Sequence, residues 1–237
     1  MTQTRLAYKN IGILGGMGAA ASSDFYQEIV KILQHEYHAE QDTDFPPMFI
    51  YNLPLAGFDE TGFADENLVK EQLVAGVKKI EAMGSDFIVI PCNTVHHFYE
   101  TLSKSVGIPI LSIIEATVDE ALRRNYKKIG LLTSESTRRY GLYESVLKKR
   151  GLAFLSVSDE EQSKLNSVVH HAIGGTQGVQ EVLELHSIIS RLQEEGADTI
   201  VLGCTELPLV ISQEECPLPL LNSTSILAET AVRYSLG

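Results

Sequence analysis

The chain has 237 residues, 44% of them hydrophobic and 21% charged, so it can bury a sizeable core and fits a globular protein rather than a disordered one. Its formal net charge is −12. Because an acidic surface repels phosphate backbones and anionic lipids, we expect neither nucleic acid nor a membrane as a partner. The polar start from Met1 to Asn10 lacks the apolar run of a signal peptide, and no window reaches the roughly 20 apolar residues of a membrane span, so we expect a cytoplasmic protein.

Short apolar runs alternate with amphipathic segments along the whole chain. The runs predict buried strands over 11–14, 48–52, 87–90, 110–113, 129–132, 154–157, 200–202 and 218–221. The segments between them predict helices over 23–38, 65–83, 96–106, 114–125, 138–151, 160–173, 181–195 and 223–236. This alternation predicts an α/β fold whose mainly parallel sheets are covered by helices on both faces.

The second half of the chain repeats the first. Residues from Ile80 read IEAMGSDFIVIPCNT and residues from Leu192 read LQEEGADTIVLGCTE, so each copy is a helix end, a Gly, an Asp, an apolar strand and a Cys. The glycine in each copy, Gly84 or Gly196, is expected to cap the preceding helix in the left-handed conformation. The repeat therefore predicts two lobes of similar structure.

We expect these lobes to span residues 1–113 and 114–222. Pseudo-twofold symmetry would relate them and place an active site between them. A further matched pair of aromatic residues, Phe25 and Tyr143, supports the repeat. The C-terminal helix, about 223–237, is expected to pack back on the first lobe.

Two of the three cysteines occupy equivalent positions in this repeat. Cys92 and Cys204 each follow the carboxyl end of a strand, where functional groups of parallel sheets gather. If the lobes face each other, the two thiols reach one cleft from opposite sides, as the inversion of a tetrahedral carbon requires. A thiol can donate a proton when neutral and accept one when ionised. Cys216 has no counterpart and is interpreted as structural.

The neighbours of both cysteines suit a carboxylate. Asn93, Thr94 and Thr205 offer side-chain donors, and backbone N–H groups at these strand ends can hold the carboxylate and lower a thiol pKa. Glu206 could activate Cys204 or could simply accept hydrogen bonds from turn amides. The Gly-rich turn at residues 15–18 allows close backbone approach to a small ligand.

Other candidate groups have simpler interpretations. His96 and His97 are adjacent and would not share a helix face, so we predict no metal site there. Lys164 and the pair Arg138 and Arg139 could meet the charge of a substrate or could lie on solvated helix faces.

The residues from Gly15 to Gly18, from Pro91 to His96 and from Gly203 to Leu207 together resemble the aspartate/glutamate racemase family over essentially the whole chain. The resemblance implies racemisation of an amino acid, aspartate or glutamate first, without pyridoxal phosphate or any other cofactor, and a possible homodimer. It also implies Cys92 and Cys204 as the catalytic thiol/thiolate pair. The substrate-binding residues would be Met17, Asn93, Thr94, Thr133, Thr137, Thr205, Glu206 and Lys164.

One position departs from the family pattern. Aspartate-specific members commonly carry an Arg just before the second strand, where this chain has Phe45. Lys164 could supply that distal cation instead. Alternatives are the related reactions of hydantoin racemases, maleate isomerases and arylmalonate decarboxylases, or a protein that binds a small carboxylate without turnover.

Overall fold

A computed structural model of the chain describes residues 8–59 and 62–237. The strands within them are β1 (Ile11–Gly15), β2 (Met48–Asn52), β3 (Phe58–Asp59), β4 (Gly62–Phe63), β5 (Phe87–Val89), β6 (Ile110–Leu111), β7 (Lys128–Thr133), β8 (Ala153–Ser156), β9 (Thr199–Gly203) and β10 (Leu220–Asn222). The α-helices are α1 (Ala19–Glu36), α2 (Glu66–Ala82), α3 (Tyr99–Ser105), α4 (Ile113–Arg123), α5 (Glu135–Arg139), α6 (Leu142–Lys149), α7 (Asp159–Gly174), α8 (Val179–Glu194) and α9 (Ser223–Leu236).

Eight of these strands form two parallel sheets of the same topology. The first sheet has the order β2-β1-β5-β6 and the second has the order β8-β7-β9-β10, four strands each. Helices cover both faces of each sheet, as apolar strands without alternation require. The α/β fold with two similar parallel-sheet lobes is thus confirmed.

The repeated Gly and Asp residues have the same local role in both lobes. Gly84 and Gly196 follow α2 and α8 with φ of +93° and +90°, the left-handed conformation expected of a helix cap. The carboxylate of Asp86 accepts a hydrogen bond from the backbone N–H of Asn10, and Asp198 accepts from the N–H of Lys128. Each Asp therefore ties the start of its strand to the neighbouring central strand.

Helices α4 and α9, each of which follows the last strand of a sheet, pack across the middle of the molecule. α9 contacts α1, α4 contacts α6, and α4 and α9 also contact each other. The largest apolar cluster lies here and draws on both sheets. The boundary at 113/114 stays a prediction, and residues 1–7, 60 and 61 of the expected first lobe lie outside the described residues.

Two local predictions differ from the structure, and one pair of strands was not predicted. The helix expected over 138–151 is divided into α5 and α6 because Gly141, at φ +59°, adopts a left-handed conformation between them. The helix expected over 96–106 begins as a 3₁₀ turn, Thr94–Phe98, before α3. The short antiparallel pair β3–β4 was not anticipated.

Candidate active site

One cavity lies between the carboxyl ends of the two sheets and contains both symmetry-related cysteines. Its volume is about 240 Å³. It is lined by Gly16, Met17, Gly18, Leu55, Phe58, Asp59, Cys92, Asn93, Thr94, Ser134, Val169, Ile173, Cys204, Thr205 and Glu206. Seven of the ten predicted catalytic or substrate-binding residues thus meet around one space, with contributions from both halves of the chain. This space is smaller than the roughly 300–1,000 Å³ of sites for drug-sized ligands and suits a single amino acid.

The two thiols have matching surroundings. Cys92 follows β5 and Cys204 follows β9, and both are buried. A 3₁₀ turn comes after each, at Thr94–Phe98 and Leu207–Leu209, and orients backbone N–H groups toward the sulfur. The two cysteines therefore line the cavity from equivalent strand ends of opposite lobes.

Burial favours the neutral form of both thiols. Burial raises the pKa of Cys92 to about 12, against the weaker opposing effect of the Val95 and Thr94 backbone N–H groups. Burial and the Glu206 carboxylate raise the pKa of Cys204 well above its ordinary value. The backbone N–H groups do act to lower these pKa values, as expected, but desolvation outweighs them. The expectation of a lowered thiol pKa was therefore wrong.

Glu206 connects the second cysteine to the Gly-rich turn. Its carboxylate accepts hydrogen bonds from the Cys204 thiol (Sγ–Oε2, 3.2 Å), from the Thr205 hydroxyl (3.2 Å) and from the Gly18 N–H (3.2 Å). Both sequence-based interpretations of Glu206 are therefore compatible with its contacts. The equivalent position beside Cys92 is Thr94, so only one of the two thiols has an adjacent carboxylate in the repeat.

Asn93 is oriented by a hydrogen-bond chain that crosses the lobes. The Tyr143 hydroxyl donates to Asn93 Oδ1 (2.8 Å), and Asn93 Nδ2 donates to the Ser223 hydroxyl (3.2 Å). Ser223 in turn donates to the Leu202 carbonyl of β9 (2.7 Å). Since a primary amide has two N–H donors, one remains for a ligand in the cavity.

Three hydroxyl groups from both lobes form a second polar cluster. Thr94 Oγ1 is hydrogen-bonded to Ser134 Oγ (2.9 Å) and to Thr137 Oγ1 (3.1 Å), and Ser134 donates to Thr137 (2.9 Å). Ser134 also caps α5. Of this cluster, Thr94 and Ser134 line the cavity, whereas Thr137 supports them from behind.

The structure does not bring three other residues to the cavity. Thr133 ends β7 with a buried side chain, and its carbonyl accepts from Gln162 (3.1 Å). Lys164 lies on the outer face of α7, paired with Glu160 at 3.0 Å beside a separate groove. Phe45 precedes β2 and packs against the central cluster. Because β2 runs parallel to β1, its start lies at the opposite sheet edge from the cysteines, and Phe45 does not line the cavity.

Sequence reasoning missed the apolar part of the lining. Leu55 and Phe58 follow β2, and the rule that ligands bind beyond strand ends could have identified them. Val169 and Ile173 lie one turn apart on α7. Their spacing is that of any amphipathic helix, so it does not indicate that they line a cavity. Asp59, next to Phe58, also lines the cavity.

His96 supports the site without facing it. Its Nδ1 contacts the Cys92 carbonyl (2.8 Å), and its Nε2 accepts the Ile113 N–H (3.2 Å). Burial lowers the pKa of His96 to about 4, so the ring is neutral. Among residues 8–59 and 62–237, no group of three or more His, Cys, Asp or Glu side chains is placed to hold a metal ion. No helix in those ranges is long and apolar enough to span a bilayer.

The chain and its fold are similar to those of known racemases. The sequence model of the Asp/Glu/hydantoin racemase family matches residues 14–231. The broad specificity amino-acid racemase RacX of Bacillus subtilis is 32% identical over 227 residues, which cover 96% of this chain and 98% of RacX.

Solved structures agree. An aspartate racemase homologue from Pyrococcus horikoshii superposes with a TM-score of 0.81 at 26% identity, covering 96% of this chain and 99% of the homologue. Aspartate racemase from Picrophilus torridus, at 23% identity, has the same fold, with a TM-score of 0.79 and coverage of 96% and 94%. On the matched sequence and the shared fold, this chain belongs to the Asp/Glu/hydantoin racemase family.

Proposed function

We propose that the protein is a cofactor-independent amino-acid racemase that uses Cys92 and Cys204 as its two acid/base groups. The observation that carries this proposal is their common cavity, which they line from equivalent strand ends of two facing lobes. One thiolate removes the Cα proton from one face of the substrate, and the opposite thiol returns a proton to the other face. The proton count of the enzyme is then unchanged by turnover in either direction.

The substrate carboxylate would lie against the polar side of the cavity. Asn93, Thr94, Thr205 and Ser134 line that side, and Asn93 has a donor left after its two protein contacts. Donors at the carboxylate stabilise the carbanion-like transition state, in which negative charge moves onto the carboxylate oxygens.

One thiol must ionise before the reaction starts. Because burial favours the neutral thiols, a nearby base is needed, and Glu206 accepts a hydrogen bond from the Cys204 thiol at 3.2 Å. We propose that Glu206 takes this proton, which leaves a Cys204 thiolate and a protonated carboxyl. The α-ammonium of a bound substrate adds a positive charge to the cavity, which also favours the thiolate.

The proposed chemistry requires both thiols in reduced form. All three cysteines are free, which agrees with work in a reducing compartment such as the cytoplasm. A homodimer is proposed from the family resemblance alone, and sedimentation analysis of the purified protein would test it.

The function is tested by exchange of the Cα hydrogen with solvent. Incubation in deuterium oxide with an amino acid should label Cα and interconvert the enantiomers. A protein that binds the amino acid and introduces no deuterium would be a binding protein, and one that acts on 5-substituted hydantoins but not on amino acids would also refute the proposal. Cys92→Ala and Cys204→Ala should each abolish racemisation, and racemisation near the wild-type rate by either variant would refute the two-base mechanism.

A further inference from the structure

Part of the cavity lining is apolar. Leu55, Phe58, Val169 and Ile173 line it, two from the segment after β2 and two from α7. Val169 and Ile173 are four residues apart, so they lie on the same face of α7. Both lobes thus contribute hydrocarbon side chains to the lining of the cavity that holds the thiols.

The charged groups of the cavity are both acidic. Asp59 and Glu206 line it, and among the described lining residues there is no Lys or Arg. The nearby cations of the second lobe are paired elsewhere, Arg138 with Asp159 (2.7 Å), Arg139 with Glu135 (2.6 Å) and Lys164 with Glu160 (3.0 Å).

These surroundings oppose an acidic side chain. A carboxylate placed against Leu55, Phe58, Val169 and Ile173 would lose part of its hydration without gaining a positive partner, which is unfavourable. The one negative charge shared by Glu206 and Cys204 would repel it further, whereas it attracts an α-ammonium. An aliphatic or thioether side chain instead gains from burial on the same surface.

We propose that this cavity selects amino acids with uncharged, apolar side chains, such as leucine and methionine, over aspartate and glutamate. Leu55, Phe58, Val169 and Ile173 form the side-chain subsite that makes this selection. The inference rests on the proposed racemase function, and it gives that function a substrate class.

The first test compares substrates of the wild-type protein. Chiral chromatography would give kcat/KM for L-leucine, L-methionine, L-aspartate and L-glutamate under one set of conditions. We expect kcat/KM for leucine and methionine to exceed that for aspartate and glutamate by about 10-fold or more, because a carboxylate loses hydration at this subsite and gains no cation. Equal or higher kcat/KM for either acidic substrate would overturn the inference and leave the racemase function intact.

A charge introduced at the subsite tests the assigned residues. Ile173 is 46% exposed at the edge of the cavity, so Ile173→Lys should fold and place an ammonium near the substrate side chain. We expect the ratio of kcat/KM for glutamate to that for leucine to rise about 10-fold or more, since one tenfold change corresponds to about 1.4 kcal/mol. Leu183→Lys, on the exposed face of α8 and outside this cavity, is the matched control and should leave the ratio unchanged. A ratio that moves equally in both variants, or in neither, would overturn the assignment.

Ligand binding separates failure of this inference from failure of the proposed function. A ligand that binds the folded protein raises its Tm, whether or not it is turned over. A larger rise in Tm with leucine than with aspartate supports the apolar subsite, even if no amino acid exchanges its Cα hydrogen. The absence of exchange would refute only the racemase function. Greater stabilisation by aspartate would overturn the subsite.

Discussion

The hydroxyl group of Tyr143 offers a sensitive test of how the site is held in place. This residue and its repeat equivalent, Phe25, are both fully buried, but only the tyrosine has a hydroxyl, which donates to Asn93 Oδ1 at 2.8 Å. Tyr143→Phe therefore gives the second lobe the aromatic residue that the first lobe already has. It removes one donor and leaves the ring in place.

The expected cost follows from burial. Asn93 is 2% exposed, so its Oδ1 would lose a partner with little access to water. A buried polar group left unsatisfied costs about 1–3 kcal/mol, and we expect the free energy of unfolding to fall by that amount. The freed amide can also rotate away from the substrate carboxylate, so kcat/KM should fall about 10-fold, equivalent to about 1.4 kcal/mol.

Urea unfolding and a racemisation assay on the same preparation would measure both effects. Tyr26→Phe, at a tyrosine that is 39% exposed on α1, is the matched control and should change stability by less than about 0.5 kcal/mol. If Tyr143→Phe changed neither the free energy of unfolding nor kcat/KM beyond that control, Asn93 would not depend on this contact, and the argument would fail.

Three further predictions concern pH, charge and backbone strain. Burial lowers the pKa of His96 from 6.5 to about 4, so His96 takes up a proton at higher pH in the unfolded chain than in the folded protein, and about 3 kcal/mol of stability should be lost as pH falls from 6.5 to about 4. Urea unfolding of His96→Gln should show a smaller loss over this pH range, and an identical loss would contradict this. Glu206→Gln removes a charge that raises both thiol pKa values, so thiolate absorbance should appear at lower pH while racemisation falls, and an unchanged titration would contradict the electrostatic argument. Gly16→Ala should destabilise by about 1–3 kcal/mol in thermal unfolding, since φ is +100° and the new Cβ would lie 2.3 Å from the Leu53 carbonyl oxygen, and a wild-type Tm would contradict it.

The repeat made most of the architecture predictable. Apolar runs placed the sheet strands within about two residues, because buried parallel strands lack polar positions. The matched Gly84 and Gly196 predicted two helix caps of the same geometry. The cysteines followed from the rule for strand ends, and the cavity brings them together.

The remaining features depend on long-range packing. Two-residue strands such as β3 and β4 are too short to show any periodicity. The pKa direction of the cysteines depends on how completely the lobes bury them, which local sequence does not contain. Lys164 and Phe45 were assigned by chain position, but the face of α7 and the direction of β2 take both away from the cavity.

Hydrogen exchange by the single cysteine variants tests the two-base proposal most directly. In deuterium oxide, early product of the wild-type protein should carry one deuterium at Cα while the remaining substrate stays unlabelled. Cys92→Ser and Cys204→Ser should not racemise, and each should introduce deuterium into one enantiomer only, the opposite one in the two variants. Exchange of the same enantiomer by both variants, or product that retains the original hydrogen, would contradict catalysis by two opposed thiols.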